Sequence, residues 1–511
     1  MRPFQKCKDP MKSCAELFWG KQSKALYLMI ASVLMLFIFL GSREIWTQEH
    51  RWADIVAGMF FRHDFFHPYL NDVNYYDKPL LSYWFIAFFA WLTGQLSTWV
   101  LRLPSALAGL LAIYSIYRLG TQLKDKRLGL LAGWMLLTTY YFIFWARTSS
   151  ADMLNMAGSL FAVAWYFEKK SVPSFFNYAV FFLIMAVTCL CKGLVGAMVP
   201  LIAIFPDFIH KKEWNNHLRP AFFLAMIPAA IVYAMPFWAS SHFSDQHYAQ
   251  NGLYLVYREN ILRYFQPFDH KDPIYSYFIY LPLYLLPWTF VFVPALLSLK
   301  SRWSKMSLNS RWLVWAVFLL FLFFTLSGSR RNYYILPVVP FAILMVADWV
   351  LSTASDVTKR NIWSGRLALS ALIGMFLMFD VLQPLYYAED GYQNFATELK
   401  SKATEIKPWS AWQFVMLDPE SRVRFYLQLA PTVKNYSSPN VANMTTAAML
   451  EAWPVLKNRD PNTILIVRKQ YASAIKTLLP NYQLVESKPS LGERVLHVNN
   501  KNLPVAFIPM A

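Results

Sequence analysis

Residues 103–146 read LPSALAGLLAIYSIYRLGT, then QLKDKR, then LGLLAGWMLLTTYYFIFWA. Two apolar runs of 19 residues flank a polar hexapeptide that holds Lys124, Lys126 and Arg127. A helix needs roughly 20 apolar residues to cross a hydrocarbon core, so each run is long enough to do so. The basic turn between them belongs on the cytoplasmic side, where Lys and Arg between spans collect. This pair anchors the topology of everything before and after it.

The same length criterion marks eleven runs, near 25–42, 103–121, 128–146, 152–167, 174–191, 194–209, 220–238, 274–299, 312–328, 333–351 and 367–387. Splitting a run would raise the count to as many as thirteen, and the run at 194–209, with Pro200 and Pro206, is the one expected to split. Composition agrees with a polytopic membrane protein. Of 511 residues 56% are hydrophobic and 15% charged, against about 45–50% and about 25% in soluble domains. A disordered chain, a disulfide mini-scaffold and an ordinary cytosolic enzyme are excluded. Residues 25–42 follow a basic tail and lack a small-residue cleavage site, so they read as an uncleaved first span.

With the N-terminus inside, the segments assigned to the cytoplasm carry 22 Lys and Arg, and the short outer loops carry only Arg147, Lys192, Arg330 and Arg331. The net charge of +18 is therefore a topology signal and not a nucleic-acid-binding face. The stretch Leu80–Leu92 is apolar, but making it a span would invert every later loop. It reads as a helix at the interface or packed on the bundle, with Trp84 and Trp91 as anchors.

The expected organisation is a cytoplasmic tail over 1–24, a transmembrane domain over 25–387 with long outer loops at 43–102 and 239–273, and a periplasmic α/β domain over 388–511. In the last, helix-like Tyr392–Ala403, Arg422–Leu429, Thr446–Leu456 and Ala472–Leu479 alternate with strands at Trp412–Met416, Thr463–Arg468, Tyr482–Ser487 and Arg494–Asn499. The four cysteines, Cys7, Cys14, Cys189 and Cys191, all lie outside that domain, which leaves no disulfide framework or CxxC metal site there.

Charged groups at membrane depth are costly and mark function. Here they gather on the outer side: Glu49 to Asp54, Tyr76-Asp77-Lys78, Arg147 with Asp152, Lys192-Gly193, Arg258-Glu259-Asn260 with Arg263, and Ser329 to Tyr334. Five loops thus reach one face, as an outward-facing polar cavity requires. Its cations suit phosphate oxygens, and its carboxylates suit an acceptor proton or a developing sugar cation. A lipid-linked phosphosugar offers both groups at that depth.

Each residue also has a plainer reading. Ser149-Ser150-Ala151-Asp152 is a plausible helix start, with Asp152 as a cap. Glu49 can pair with Arg51, Lys78 before Pro79 can snorkel, and Lys192 can anchor a span end. Arg258, Glu259 and Arg263 have the spacing of a surface ion-pair set. No cofactor is assigned; His270 beside a carboxylate is the one place where a divalent cation would fit, and a lone exposed histidine is the commoner case.

In order along the chain, Glu49-His50-Arg51-Trp52, Pro68-Tyr69-Leu70-Asn71, Tyr76-Asp77-Lys78-Pro79-Leu80, Arg102-Leu103-Pro104-Ser105, Arg147 with Asp152, Lys192-Gly193, Arg258 to Arg263 and Tyr334-Ile335-Leu336-Pro337 resemble the GT-C glycosyltransferases. The closest subset is the aminoarabinose transferase and dolichyl-phosphate-mannose protein mannosyltransferase-like family. The resemblance covers about residues 25–350. It implies a polyprenyl-phosphate sugar donor, inversion at the anomeric carbon, and transfer at the periplasmic face of a bacterial inner membrane. By the same resemblance Glu49 and Asp152 are the catalytic carboxylates. Lys78, Lys192, Arg258, Arg330, Arg331 and Tyr334 would hold the donor phosphate, and Arg51, Tyr76, Asp77, Arg147 and Glu259 would position substrate.

Relatives often read Asp-Glu where this chain has Gln48-Glu49. An acceptor phosphate needs no general base, whereas a protein hydroxyl does, so lipid A or a related envelope glycolipid is the expected acceptor and a protein Ser or Thr the alternative. A lipid or sugar transporter is the alternative from another class. It would be expected to show inverted repeats, and the sequence shows none.

Overall fold

The computed structural model describes residues 18, 24–46, 48–70, 73–76, 78–211, 217–243, 252, 254–352, 357–388, 391–417, 422–433, 435–436, 462–478, 481–497 and 500–510. The chain folds as two compact units. One comprises Met1–Leu40, Tyr76–Leu92 and Arg102–Asp380; the other comprises Gly41–Tyr75, Thr93–Leu101 and Val381–Ala511.

In the first unit all eleven apolar runs have folded around helices. Among the described residues six helices are long and apolar enough to cross a membrane: Thr98–Leu123, Phe175–Lys192, Pro220–Ser240, Leu308–Leu326, Asn332–Ser352 and Trp363–Tyr386. The others are shorter, bent or more polar. Ala25–Phe37 and Leu81–Thr93 have 13 residues each, and Ala151–Lys169 carries Asp152 and Asn155 on its buried face. Leu81–Thr93 buries Tyr83, Ile86 and Ala87 and leaves Trp91 70% exposed.

The expected break falls elsewhere. Val195–Lys211 is continuous through Pro200 and Pro206. The 274–299 run divides into Ser276–Tyr284 and Thr289–Leu297, where Pro282, Pro287 and Pro294 each remove a backbone donor. The 128–146 run bends by 71° between Lys126–Leu137 and Tyr140–Ala146. Two threonines make that corner: Thr138 donates to the Trp134 carbonyl at 2.7 Å and Thr139 to the Met135 carbonyl at 2.8 Å. Their hydroxyls satisfy helix-end carbonyls and compete with continued helix.

Three helices place the site. Ala151–Lys169, Phe175–Lys192 and Val195–Lys211 pack on one another. A Cβ on Gly158 would sit 2.2 Å from Thr188 Oγ1, and one on Gly196 would sit 2.8 Å from the Thr188 carbonyl carbon. Small residues let helix backbones close in this way within a membrane. Thr188 precedes Lys192 by one turn, so the packing fixes how far Lys192 projects. Nearby, Arg147 donates to Asp380 at 2.7 Å and to the carbonyls of Met35 and Ile38 at 2.8 and 2.7 Å, tying off the end of the Ala25–Phe37 helix.

In the second unit, strands β1 (Tyr69–Leu70) and β2 (Val73–Asn74) form a small antiparallel hairpin. A five-stranded mixed sheet runs in the order β4-β3-β5-β7-β6, with β3 Gln413–Leu417, β4 Asn435–Tyr436, β5 Thr463–Arg468, β6 Tyr482–Glu486 and β7 Pro504–Pro509. Strands β4, β3 and β5 are parallel, and β7 pairs antiparallel with β5 and β6. Val415, Leu417, Leu465, Val467 and Phe507 pack against Tyr471 and Ile475 of the Lys469–Leu478 helix. Among the described residues of the expected strand Arg494–Asn499, which are 494–497, there is no strand. Ser490 and Glu493 form a reciprocal capping box that starts a helix, Leu491–Val495, and the last strand comes at β7 instead. The expected helix Thr446–Leu456 lies outside the described residues.

Candidate active site

Asp152 sits in the first turn of Ala151–Lys169, but Ser150 is that helix's cap: its Oγ accepts from the Asp152 amide at 2.9 Å and donates to Asp152 Oδ2 at 3.1 Å. The capping duty falls to Ser150, which frees the Asp152 carboxylate for another partner. That partner is Lys192, whose ammonium donates to Asp152 Oδ1. Both side chains are nearly enclosed, at 12% and 11% exposed. The same ammonium lies 4.9 Å from the centre of the Tyr334 ring. Asp152, Lys192 and Tyr334 thus form one constellation from three separate helices. The sequence order pairs Asp152 with Arg147; in the fold Arg147 instead binds Asp380 and helix-end carbonyls.

Beside this constellation Arg263 joins two carboxylates. It pairs with Glu259 one turn before it and holds both oxygens of Asp269 at 2.7 and 2.6 Å. The helical-spacing reading of Glu259 and Arg263 is what the fold contains. Arg258 flanks that pair from the solvent side: 47% exposed, its Nε lies 3.9 Å from Glu259 Oε1 and its guanidinium stacks 4.6 Å over Phe268. The His270 ring lies 6.4 Å from that of Tyr334. Burial first, then the charges of Arg331, Arg263 and Lys78, push its imidazole below the ordinary range, with Asp269 opposing. Burial and these cations favour the neutral imidazole, and Lys78, half-buried, belongs to the same electrostatic neighbourhood. Among the described residues no group of three His, Cys, Asp or Glu comes within reach of a metal ion.

The two adjacent arginines have different jobs. Arg330 spends its guanidinium on backbone carbonyls, with Nε donating to Asp272 at 2.7 Å and Nη1 to Thr325 and Ser327, and its amide donates to the His270 carbonyl at 2.6 Å. It stitches the 269–272 turn to the 325–330 turn. Arg331 makes a hydrogen bond of 3.0 Å to the Tyr333 hydroxyl and stays half-buried. The uncompensated positive charge around His270 falls to Arg331 and Lys78 as a result.

Glu49 and Arg51 belong to the second unit and Tyr76 to the first. In the second unit Glu49 is fully buried at the start of Glu49–Arg62; it accepts from Arg43 at 3.3 Å and from the Trp46 amide at 2.7 Å. Arg51 is exposed, so the Glu49–Arg51 pairing gives way to Glu49–Arg43. Tyr76 is half-buried, and Asp77 lies outside the described residues. In the second unit Asp54 and Arg424 form a pair at 3.4 Å, 7% and 6% exposed. Burial raises the Asp54 carboxyl to about 6 despite the opposing pull of Arg424. The sequence gives no sign of this pair, because 370 residues separate its members.

This geometry matches known proteins. A crystal structure of ArnT from Cupriavidus metallidurans bound to undecaprenyl phosphate superposes with a TM-score of 0.69, at 16% identity, over 94% of this chain and 97% of that one. The chain carries the GT-C fold. A more distant case is the oligosaccharyltransferase of Archaeoglobus fulgidus, with a TM-score of 0.54 at 12% identity over 89% of this chain and 70% of that one. Residues 77–239 match the family described as dolichyl-phosphate-mannose-protein mannosyltransferase. Curated relatives include the undecaprenyl phosphate-alpha-4-amino-4-deoxy-L-arabinose arabinosyl transferases of Shewanella sediminis, 23% identical over 66% of this chain and 62% of that protein, and of Yersinia pestis, 27% identical over 66% and 61%. The match spans about three fifths of the length of these relatives. This GT-C chain is thus a multi-pass membrane protein related to aminoarabinose and mannosyl transferases.

Proposed function

We propose that this GT-C protein is an inverting glycosyltransferase that moves a sugar from a polyprenyl phosphate, of the undecaprenyl type, to lipid A or a related envelope glycolipid. The observation that carries the reading is the Asp152–Lys192–Tyr334 constellation. An ammonium, a carboxylate and an aromatic face converge at three helix ends, beside further cations and within a low-dielectric surround. The kinship with arabinosyl transferases that use undecaprenyl phosphate-linked aminoarabinose supports the donor class.

In this reading Lys192 has two anionic partners in turn. Without donor it neutralises Asp152. A donor phosphate that enters beside Lys78 and Arg331 draws the ammonium toward its oxygens, since a phosphodiester and a carboxylate compete for one cation. Phosphate charge that develops as the sugar–oxygen bond breaks is then stabilised by a cation already in place. Asp152, relieved of its counter-charge, is left to orient the acceptor or take its proton. Tyr334 covers the ammonium and keeps water off it.

The positive-inside bias supports an N-terminus in the cytoplasm and a C-terminal domain in the periplasm of a bacterial inner membrane. The protein-mannosyltransferase match over 77–239, which includes Lys78, Asp152 and Lys192, keeps a protein Ser or Thr as the second acceptor. The deciding measurement is the intact mass of lipid A from cells with and without the gene. A mass increment of one sugar that disappears in the deletion supports lipid A. An unchanged lipid A together with a lost glycoprotein signal transfers the reading to the protein acceptor. D152N should abolish transfer while undecaprenyl phosphate binding persists; unchanged transfer refutes the role of Asp152.

A further inference from the structure

The Lys192 side chain leaves its helix at the last residue before a sharp turn. Gly193 there has φ of +131°, a backbone state that side chains rarely adopt. One residue from the second long outer loop holds this turn. Asn260 Oδ1 accepts from the Leu194 amide at 2.7 Å, and Asn260 Nδ2 donates to its own helix at the Val256 carbonyl, 2.9 Å away. A Cβ on Gly193 would meet Asn260 Oδ1 at 2.6 Å, so only glycine lets the amide approach so closely. Asn260 lies in a single π turn, Tyr257–Leu262, whose i→i+5 bonding locally widens the helix. Glu259 and Arg263, its neighbours, form the ion pair described above.

We infer that Asn260 is a positioning residue that clamps the Lys192-Gly193-Leu194 turn and so sets where the Lys192 ammonium stands between Asp152 and Tyr334. The inference rests on the reading of Lys192 as the donor-phosphate cation, and deepens it. The side chain is a two-ended tie: its carbonyl satisfies the Leu194 amide, which stands without a helical partner just before Val195–Lys211 begins, and its NH2 anchors that carbonyl to a second element. Loss of either end lets the glycine turn relax, and Lys192 moves with it. Glutamine has the same groups one methylene further out and cannot keep both bonds at this spacing.

The test reads Lys192 directly and needs no donor. Purified protein is reductively methylated with formaldehyde and cyanoborohydride, and the rate at Lys192 is followed by peptide mass spectrometry against exposed Lys271 as reference. N260A removes both part-buried hydrogen bonds of the tie and should raise the relative rate at Lys192 about fivefold. N260D keeps an acceptor for the Leu194 amide but loses the donor to the Val256 carbonyl, so it should shift the rate at Lys192 in the same direction as N260A. G193A disturbs the same contact from the other side and should mimic N260A, which covers the case in which N260A does not fold. Unchanged Lys192 labelling in a folded N260A or G193A overturns the inference.

Binding of undecaprenyl phosphate in detergent then separates the two claims. N260A and K192M should each weaken it, and the double variant should be no weaker than K192M, because Asn260 acts through Lys192. Additive losses overturn the inference. Faster labelling in N260A, with K192M binding like wild type, leaves the clamp standing and refutes the phosphate role of Lys192.

Discussion

Asp54 gives the protein a pH dependence of stability with a definite sign. Its carboxyl is raised from 3.8 to about 6 by burial, with Arg424 opposing. A folded-state value above the unfolded one means that the folded state holds the proton more tightly. The associated stability is complete below about 4 and is lost as pH rises through about 6. A shift of this size corresponds to about 3 kcal/mol at about 1.4 kcal/mol per pH unit. About 2 kcal/mol of this is lost between pH 4.5 and 7.5, because the unfolded carboxyl is already mostly ionised at pH 4.5; for the second unit that amounts to a fall in Tm of roughly 4–8 °C, at about 2–4 °C per kcal/mol. The assay is thermal unfolding in detergent across that range, read by protease sensitivity of the Val381–Ala511 segment. D54N has no titrating group, so this component should vanish from its profile. The absolute Tm of D54N is not the criterion, because Arg424 loses its partner at every pH. A wild-type Tm that rises between pH 4.5 and 7.5, or a D54N profile parallel to wild type, refutes the reasoning.

Four further outcomes follow from the packing and hydrogen bonds. R424M leaves Asp54 buried without a counter-charge and should destabilise the second unit at pH 7.5 by about 3–5 kcal/mol, read by the same melt. G158V drives a side chain into Thr188 and should lower Tm by the equivalent of about 1–3 kcal/mol, with partial recovery in G158V/T188A. S150A removes the cap of Ala151–Lys169 and a hydrogen bond to Asp152; it should cost about 1 kcal/mol of stability and slow transfer, which a radiolabelled-donor assay would report. R330A and R331A should part ways: the first lowers Tm with little change in undecaprenyl phosphate affinity per folded molecule, the second weakens affinity at unchanged Tm.

What could be read from the sequence follows the range of the interaction. The apolar runs and the strands at 412–416, 463–468 and 482–487 rest on local patterning, and each has its element within a few residues in the fold. Breaks in helices were harder. Prolines alone do not decide them: Pro200 and Pro206 sit inside a continuous helix, whereas Thr138 and Thr139 bend one by bonding carbonyls that the pattern does not reveal. The Arg494–Asn499 strand failed because a capping box, itself visible as Ser490-x-x-Glu493, outweighs a short apolar alternation. Pairings across the chain were the least legible. Neighbourhood in sequence suggests Arg147 for Asp152, yet Lys192, 40 residues on, is the partner.

The contrast between Arg330 and Arg331 explains why charge placement found the region without assigning the work inside it. Both are cations in a short outer loop, where the positive-inside bias makes any Lys or Arg exceptional. One is consumed in closing the loop, since the carbonyls of Thr325, Ser327 and Asp272 need donors when their turns are packed together. The other keeps its guanidinium beside Tyr333 and the His270 ring. A cation that satisfies several buried carbonyls cannot also reorganise around an incoming phosphate without leaving those carbonyls unpaired, at about 1–3 kcal/mol each. Lys192 faces no such conflict, because its carboxylate partner is itself the kind of group that a phosphate displaces. The ability to exchange one anion for another, more than the presence of charge, is what marks Lys192 and Asp152 as the centre of the site.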